Sequence, residues 1–531
     1  MNAVNVRVLV ADAIADAGVA RLRAVPGFSV DVHTGLPPTE LAAALPDYDA
    51  LIVRSATKVT PDLLARPGRL RAIGRAGTGV DNIDLEAATR AGIVVMNTPG
   101  GNSTAAAEQT IALLTGLARN VPQAHADLKA GQWNRKKYLG VELAGKTLGV
   151  VGLGRIGREV ARRARGLRMV VLGHDPIVTA DAAGDMGVEF RTLDDLVAES
   201  DFITLHLPLT PATRHVIDAR RIAAMRPGTR LINCARGGLI DDDALLAALE
   251  SGHLAGAALD VFEHEPPAPD GIVAHPRVVV TPHLGASTVE AQERVGVEIA
   301  EKVRDYLVDG VILDAVNFPA IDRDTYDAIA PILTLAERLG RFVAQAVSGG
   351  IRSLEVATTG TFSDHPLRPL AMAAAKGLLT PALHDGVSYV NALSACQSRG
   401  IAVEERRTRE SSPFTGLLRL TVRTEHESAT VAGTMFTTEL AKIVEIDGVA
   451  IELRPQGHLL LIRNRDVPGV VGKIGTILGR ADVNIAGIQL GRPERDERAV
   501  SVIQVDGPVD AETAREIESI EEILIARSIE V

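Results

Sequence analysis

The sequence predicts an α/β protein in which doubly wound parallel sheets are followed by two smaller α+β units. Three observations carry this prediction. Short apolar runs alternate with helical segments through residues 1–290, as strands buried on both faces of a parallel sheet require. Polar residues or glycines follow these runs, where open α/β sheets place their ligands. From residue 458 onward the pattern changes to β-α-β-β-α-β within one short segment.

Length and composition indicate several globular domains. At 531 residues the chain is too long for one core, and its 46% hydrophobic and 23% charged residues are ordinary for a globular protein. The net charge of −11 argues against nucleic acid or an acidic membrane as the main partner. Cys234 and Cys396 lack the spacing of metal ligands. We therefore expect a cytoplasmic protein with no metal, no signal peptide and no membrane span.

The first 98 residues contain predicted strands whose ends carry arginines. Arg54 and Ser55 follow one strand, and Arg75 follows the next in the sequence GRAGTGVDNID. Guanidinium forks suit phosphate and carboxylate groups, so two arginines at neighbouring strand ends predict an anion site. A surface charge is the alternative for either arginine alone. The strands are predicted at residues 6–11, 50–54 and 72–74.

The next segment, residues 99–145, is expected to contain a buried helix and a basic loop. The tripeptide NST at 102–104 is typical of a helix start, and the helix is predicted over 105–117. It is apolar almost all round, which indicates burial and suggests a subunit interface. The loop GQWNRKKYLG that follows is interpreted as a solvated run of charge.

One stretch carries the pattern of a dinucleotide site. The predicted strand 147–151 is followed by Gly152, Gly154 and Gly157 in G-x-G-x-x-G order, then by a helix, a second apolar run and Asp175. The glycines permit a tight turn, close approach of a pyrophosphate, and close packing of helix on strand. The helix N-terminus favours phosphates, and Asp175 favours NAD because it would repel the 2′-phosphate of NADP. The alternative is a glycine-rich loop of an ordinary α/β domain.

Three further polar side chains follow three consecutive predicted strands. Arg236, Glu265 and His283 therefore lie at one edge of one sheet. Histidine exchanges protons near neutral pH, and a neighbouring carboxylate orients the imidazole and favours its charged form. Arginine can hold the carboxylate of a 2-hydroxy acid and polarise the reacting oxygen. The group predicts hydride-transfer chemistry.

Each of these three side chains also has a purely structural interpretation. His283 could cap the following helix, and Glu265 could be a solvated acid of the loop. Arg236 could pair with the acidic run at 241–243. It is their coincidence beside a dinucleotide fingerprint that favours the catalytic interpretation.

Five segments carry a resemblance to the D-2-hydroxyacid dehydrogenase family. They are GRAGTGVDNIDLEAA, GLGRIGREVA, NCARGGLID, ALDVFEHEPP and TPHLGAST. The resemblance is greatest to the long members of the family that oxidise 3-phospho-D-glycerate to 3-phosphooxypyruvate, the first committed step of serine synthesis. It implies two Rossmann-like lobes with the active site in the cleft between them, NAD as cofactor, and a homotetramer.

The resemblance also implies roles for individual residues. Arg236 would bind substrate, His283 would be the acid/base, and Glu265 would be its partner. Beyond the fingerprint glycines, the NAD site would be lined by Arg155, Ile156, Asp175, Cys234, Ala235, Arg236, Asp260, His283, Leu284, Gly285 and Ala286. The substrate would be held by Arg54, Ser55, Arg75, Thr78 and Asn102.

By the same resemblance the chain divides into four parts. They are a substrate-binding lobe (1–98 plus 290–317), an NAD-binding domain (99–289), an allosteric intervening domain (318–455) and an ACT regulatory domain (456–531). In the intervening domain Lys442 and Arg454 are candidate anion ligands, with surface charge as the alternative. Ala450 stands where some relatives have histidine.

The C-terminal segment is expected to be ferredoxin-like and resembles the ACT module in NRDVPGVVGKIGTILGRADVNI. Such modules pair their sheets and bind an amino acid beside the loop that follows the first strand. The resemblance implies serine contacts at Asn464, Asp466 and Asn484, with Asn464 replacing a histidine or tyrosine of relatives. Alternatively, Asp466 begins a helix and Asn484 stabilises a turn.

Two other functions stay open. One is another D-2-hydroxyacid dehydrogenase, such as a hydroxypyruvate, glyoxylate or 2-oxoglutarate reductase; Asp175 and the two C-terminal domains weigh against it. The other, of a different class, is a non-catalytic NAD-sensing protein. The presence of Arg236, Glu265 and His283 argues against a sensor.

Overall fold

A five-stranded parallel sheet opens the chain in the computed structural model, which describes residues 5–383, 386–408, 412–492 and 498–531. The strand order is β2-β1-β3-β4-β5, and neighbouring strands are parallel throughout. The strands are β1 (Val6–Val10), β2 (Phe28–Val32), β3 (Ala50–Val53), β4 (Ala72–Arg75) and β5 (Val94–Met96). Helices α1 (Asp16–Arg23), α2 (Pro38–Ala44) and α3 (Leu85–Arg90) connect them.

A seven-stranded parallel sheet follows, in the order β12-β11-β10-β9-β6-β7-β8. Its central strands are mostly apolar and almost entirely buried, which is why both faces carry helices. The strands are β6 (Thr147–Val151), β7 (Val170–His174), β8 (Glu189–Phe190), β9 (Phe202–Leu205), β10 (Arg230–Asn233), β11 (Gly256–Leu259) and β12 (Val278–Val280). The predicted pair of doubly wound lobes is confirmed.

Helices of the second lobe flank this sheet, and two helices precede it. The predicted helix over 105–117 is present and one turn longer, as α4 (Ser103–Arg119). It is followed by α5 (Val121–Lys129), and it packs against α6 (Arg155–Gly166). The remaining helices are α7 (Ala180–Asp185), α8 (Leu193–Glu199), α9 (Ala219–Ala224), α10 (Asp242–Glu250) and α11 (Gly271–Ala274).

The long helix α12 (Val289–Asp309) carries the chain back to the first lobe. It begins at the cap Thr288, whose hydroxyl accepts from the N–H of Ala291, and it ends at Gly310, which has a left-handed backbone (φ 71°). Its side chains Ile299 and Val303 pack over the sheet at Gly74, where a Cβ would overlap them. The chain therefore passes between the two lobes twice.

A mixed six-stranded sheet follows, in the order β14-β13-β15-β16-β17-β18. All pairings are antiparallel except that of β13 with β14. The strands are β13 (Ile351–Gly360), β14 (Ala402–Arg407), β15 (Gly416–Thr424), β16 (Ser428–Met435), β17 (Ala441–Ile446) and β18 (Val449–Leu453). The helices are α13 (Arg323–Gln345), α14 (Leu367–Leu383) and α15 (Ala392–Gln397).

The C-terminal sheet has four antiparallel strands in the order β20-β21-β19-β22, with the predicted β-α-β-β-α-β sequence of elements. Alternate residues of β19 face opposite ways: Leu460 packs under the helices, whereas Leu459 joins the core that continues into the preceding mixed sheet. The elements are β19 (His458–Arg465), α16 (Val470–Arg480), β20 (Ile485–Gly491), β21 (Arg498–Val505), α17 (Ala511–Glu518) and β22 (Ile523–Glu530). Within the described ranges, no helix has the length and apolar character needed to cross a membrane.

Candidate active site

The structure brings Arg236, Glu265 and His283 to one edge of the second sheet. They follow β10, β11 and β12, which lie side by side and parallel, so their carboxyl ends meet there. Nδ1 of His283 lies 2.8 Å from Oε2 of Glu265, and both side chains are about two-fifths exposed (43% and 38%). His283 does not cap α12, since Thr288 does so. The geometry is that of an imidazole oriented by a carboxylate at the mouth of a cleft.

The backbone of His283 adopts a left-handed conformation, with φ of 54°. This conformation is uncommon for residues other than glycine and is found at functional sites when the surroundings impose it. Asp260, which is fully buried, imposes it here. Its carboxylate accepts the N–H groups of Leu284 and Gly285, each at 2.8 Å, and its carbonyl accepts the N–H of His283 at 2.9 Å.

Glu265 is held in its charged form. Burial opposes ionisation, but the hydrogen bond and the charge of His283 outweigh it, with a further contribution from the N–H of Phe262, so the pKa of Glu265 lies below its ordinary value. The carboxylate is therefore available to the imidazole at neutral pH.

Arg236 reaches across the cleft to the first lobe. Its Nε donates to Oδ2 of Asp81 at 2.8 Å, and its Nη1 donates to the carbonyl of Ala235 at 2.6 Å. The alternative pairing with the acidic run 241–243 is not found; Asp241 instead caps α10 by accepting from the N–H of Ala244. Sequence reasoning missed Asp81, which lies six residues beyond Arg75 in the same loop.

Four of the five residues predicted to hold substrate end or follow strands of the first sheet, whereas Asn102 precedes α4 of the second lobe. Thr78 donates its hydroxyl proton to Oδ1 of Asn102 at 2.7 Å, so Asn102 stands at the start of α4 without capping it. Arg54 donates to the carbonyl of Ala13 at 3.2 Å, and Ser55 is exposed. The contact of Thr78 with Asn102 thus joins the two lobes.

Arg75 is largely buried in this cluster. Its guanidinium rests on Gly77, whose φ of 141° and missing side chain leave the space that it fills. Burial lowers the pKa of Arg75 to about 10, and the neighbouring charge of Arg236 adds to the effect. Arg75 thus remains a cation at neutral pH, and its buried Nε has no hydrogen-bond partner in the described part of the chain.

Asp12 is a second residue that sequence reasoning missed. It follows β1, is buried, and accepts the backbone N–H of Arg54 at 2.6 Å and the hydroxyl of Thr57 at 2.7 Å. Its position directly after a strand was the available signal, because such positions line the ligand edge of a parallel sheet. Asp12 fixes the loop that presents Arg54.

The fingerprint glycines have the geometry that a dinucleotide requires. Gly152 has a φ of 96°, and a Cβ at Gly157 would overlap the carbonyl oxygen of Gly152, so helix and strand pack closely. A side chain at Gly154 would meet nothing within 4 Å, which leaves the N-terminus of α6 open. Among the described residues no side chain caps that N-terminus, so its N–H groups are available to a pyrophosphate.

Asp175 lies beyond the end of β7, where an adenosine ribose would bind. Burial opposes its ionisation, but three backbone N–H donors, from Ile177, Leu153 and Val178, hold its pKa below the ordinary value. The three contacts, at 2.8, 2.8 and 3.0 Å, leave one carboxylate lone pair for a further donor. The arrangement fits NAD, because a negative charge here would repel a 2′-phosphate.

The remaining predicted cofactor residues lie around the same edge. Ala235 is fixed by the side chain of Asn233, which accepts its N–H at 3.0 Å. Burial raises the pKa of the Cys234 thiol to about 12, so this cysteine stays protonated and inert. Arg155 and Ile156 open α6, and Leu284, Gly285 and Ala286 follow His283 in the turn built on Asp260.

The three residues predicted to bind serine have separate partners. Oδ2 of Asp466 lies 3.1 Å from Nε of Arg492, and Asn484 donates to Oδ2 of Asp506 at 2.7 Å. Asn464 is buried and donates to the carbonyl of Arg465, while its Oδ1 has no hydrogen-bond partner among the described residues. Asp466 does not cap α16, whose first flanking residue is Gly469.

The candidate anion ligands of the mixed sheet are exposed or paired. Lys442 forms an ion pair with Glu452 and lies over the ring of Phe436, and Arg454 is exposed. Among the described residues there is no cluster of three or more histidine, cysteine or acidic side chains that could hold a metal ion.

Comparison with known families identifies three domains in the chain. Residues 111–285 match the D-isomer specific 2-hydroxyacid dehydrogenase NAD-binding domain, residues 328–447 the D-3-phosphoglycerate dehydrogenase intervening domain, and residues 458–522 the ACT domain. A D-lactate dehydrogenase from Aquifex aeolicus, solved with NAD and lactic acid, is 30% identical with a TM-score of 0.52, over 59% of this chain and all of that one. The fold is that of the D-isomer specific 2-hydroxyacid dehydrogenases, and the predicted cofactor, NAD, is confirmed.

Relatives that match over nearly the whole chain identify the family within this class of dehydrogenases. The D-3-phosphoglycerate dehydrogenase of Synechocystis is 42% identical over 95% of this chain and 91% of its own. That of Bacillus subtilis is 41% identical over 91% of this chain and 92% of its own. The chain belongs to the D-3-phosphoglycerate dehydrogenase family.

Proposed function

We propose that the chain oxidises 3-phospho-D-glycerate to 3-phosphooxypyruvate, the first committed step of serine synthesis. One observation carries the proposal: the His283–Glu265 pair and Arg236 follow neighbouring strands of one lobe, and on the other lobe Arg75 lies near the charges of both Arg236 and Arg54. A substrate with a phosphate, a carboxylate and a secondary hydroxyl matches this combination of cations and base.

In the proposed reaction Nε2 of His283 accepts the hydroxyl proton as the carbon–oxygen double bond forms. Bound NAD supplies the hydride acceptor. Glu265, bonded to Nδ1 at 2.8 Å, orients the ring and stabilises the imidazolium that results. Arg236 holds the substrate carboxylate and, in the reverse reaction, polarises the ketone oxygen.

The two arginines of the first lobe are assigned to the anionic ends of the substrate. Arg75 cannot leave its buried position, because Gly77 and the surrounding loop enclose it. Its charge is therefore preorganised to attract an anionic group of the substrate. Arg54 is partly exposed and is assigned to the rim of the site, and Thr78, Asn102 and Ser55 complete the proposed substrate contacts.

The remaining parts of the proposal concern cofactor contacts, regulation and assembly. The NAD-lining residues implied by the resemblance are retained, with Asp175 as the residue that selects NAD. The domain limits 1–98 plus 290–317, 99–289, 318–455 and 456–531 are retained as proposed units. We further propose a cytoplasmic homotetramer in which the ACT domain binds serine through Asp466, Asn484 and Asn464.

The test is NAD reduction with 3-phospho-D-glycerate at alkaline pH, with and without millimolar serine. Turnover of this substrate in preference to glycerate, lactate and 2-hydroxyglutarate is expected, because only 3-phospho-D-glycerate satisfies the three arginines. Activity confined to unphosphorylated 2-hydroxy acids would overturn the substrate assignment. Turnover that serine does not change would support the proposed enzymatic activity but would overturn serine as the effector.

A further inference from the structure

Asp81 is an acidic residue in a cleft that must accept an anion. It belongs to the first lobe, in the loop between β4 and α3, and it contacts Arg236 of the second lobe. The side chain of Arg236 is 28% exposed and that of Asp81 64% exposed. Ion pairs between exposed groups contribute little to folding stability. The contact with Asp81 therefore acts mainly on the orientation of Arg236.

The three nitrogen atoms of the Arg236 side chain differ in their hydrogen-bond partners. Nε donates to Asp81 at 2.8 Å, and Nη1 donates to the carbonyl of Ala235 at 2.6 Å. Nη2 has no hydrogen-bond acceptor among the residues that the structure describes. One N–H of Nη2 lies on the same edge of the guanidinium as Nε–H. The other N–H of Nη2 and one N–H of Nη1 form the end of the group away from Nε, and this end is the part left for a ligand.

The loop is shaped to receive this guanidinium. A Cβ at Gly79 would overlap Nη2 of Arg236 and would come within 2.9 Å of Oδ2 of Asp81. Gly79 and Asp81 thus act together: the glycine lets the planar group lie against the main chain, and the carboxylate fixes its Nε. The pair explains why this loop needs a glycine at 79 in addition to the one beneath Arg75.

The charges around Asp81 favour the same interpretation. Arg75 has a lowered pKa mainly because it is buried, and Arg236 and Arg54 lower it further, whereas Asp81 and Asp12 oppose them. Asp81 therefore lies among three like charges and offsets part of their mutual repulsion. Without it, Arg236 would be free to move away from Arg75 into solvent.

We propose that Asp81 is a positioning residue that orients Arg236, so that the Nη edge of the guanidinium faces the substrate carboxylate while Nε stays paired with Asp81. The proposal rests on the role proposed for Arg236 in substrate binding. The competing arrangement is one in which Asp81 is an internal substitute for the substrate carboxylate and is displaced when substrate binds. The two arrangements predict opposite changes in the KM for substrate.

The first experiment compares steady-state kinetics of wild type, Asp81→Asn, Asp81→Ala and Asp81→Glu. We expect Asp81→Asn and Asp81→Ala to raise the KM for 3-phospho-D-glycerate about tenfold, since a hydrogen bond to a charged group is lost, and to change the KM for NAD by less than about twofold. Asp81→Glu should recover part of the loss. A KM for substrate that falls or stays unchanged would overturn the proposal.

Asp62→Asn is the matched control, because Asp62 is an exposed acid on the same lobe that makes no side-chain contact with the arginine cluster. Its kinetics should equal those of wild type. Thermal unfolding of each variant checks folding, and Gly79→Ala provides an independent route. Gly79→Ala keeps the carboxylate but displaces Arg236, and it should raise the KM for substrate as Asp81→Ala does.

The second experiment is a double-mutant cycle with Arg236→Lys. If Asp81 acts through Arg236, adding Asp81→Asn to Arg236→Lys should lower kcat/KM by less than about twofold further. Additive losses would mean that Asp81 acts independently of Arg236, and the proposal would fail. Turnover of 3-phospho-D-glycerate by wild type and its loss in Arg236→Ala test the proposed function separately, whatever Asp81 does.

Discussion

Nδ1 of His283 lies 2.8 Å from Oε2 of Glu265, and this contact decides which ring nitrogen is available to a substrate. With Nδ1 occupied, Nε2 is the nitrogen that can take or give a proton in the cleft. The left-handed backbone of His283 and the turn built on Asp260 set the direction from which the ring enters. The acid/base function proposed for His283 therefore depends on two carboxylates, one that contacts the ring and one that holds the turn.

Replacing either member of the pair should separate chemistry from cofactor binding. We expect His283→Ala to lower kcat by about 10²- to 10⁴-fold, the usual contribution of a general acid/base, while NAD affinity changes little. Glu265→Gln keeps the shape but removes the charge, and it should cost less than His283→Ala. Turnover by stopped-flow absorbance and NAD affinity by calorimetry provide the two measurements. A chain that merely senses NAD would show no change in function with His283→Ala.

Asp260 gives a prediction in which stability and activity fall together. Its carboxylate accepts two backbone N–H groups and the hydroxyl of Thr281 in a fully buried setting. Asp260→Asn replaces one acceptor by a donor, which leaves a buried N–H unpaired at a cost of about 1–3 kcal/mol. The free energy of unfolding from denaturant titration should fall by that amount, and kcat should fall with it. Unchanged stability would contradict the positioning role of Asp260.

The Rossmann lobes, and the position of Arg236, Glu265 and His283 at one sheet edge, could be predicted from the sequence because their signals are local. A buried parallel strand is a continuous apolar run, and its carboxyl end is where a ligand must be, so Arg236 and His283 are found by reading along the chain. The fingerprint adds fixed spacing between three glycines and Asp175. The structure confirms that fold.

Asp81 and Asp12 could not be assigned in this way, because their partners are distant in sequence. Asp81 contacts a residue 155 positions away, and Asp12 holds a loop more than 40 positions away. The alternative partner for Arg236 at 241–243 was wrong for the same reason. The sequence shows which acids lie near Arg236 along the chain. It does not show which acids of the other lobe lie near Arg236 in space, because that depends on how the two sheets are arranged.

The lowered pKa of Asp175 predicts how NAD affinity responds to acid. Backbone N–H donors stabilise the carboxylate of Asp175 in the folded protein. Its contribution to folding stability is therefore fully present above the unfolded pKa, and it is lost as pH falls through the lower folded pKa. The folded protein thus keeps this carboxylate ionised to a lower pH than the unfolded chain does. NAD affinity should therefore change little from pH 7 to about pH 5 through this residue. Calorimetric titration of wild type and Asp175→Asn across this range measures it. A wild-type affinity that fell steeply between pH 7 and pH 5, with no such fall in Asp175→Asn, would contradict the assignment.

The ion pair between Asp466 and Arg492 predicts weak serine binding. The ammonium group of an amino acid would have to compete with Arg492 for Oδ2 of Asp466, which lies 3.1 Å from Nε of that arginine. Exposed pairs contribute about 0.2–1 kcal/mol, so Arg492→Ala should lower the serine concentration for half-maximal inhibition by up to about fivefold. Arg480→Ala is the control, because Arg480 is an exposed arginine of the same domain that pairs with Glu516. Serine inhibition that is unaltered or weakened in Arg492→Ala, relative to that control, would show that Asp466 is not the group that receives the effector.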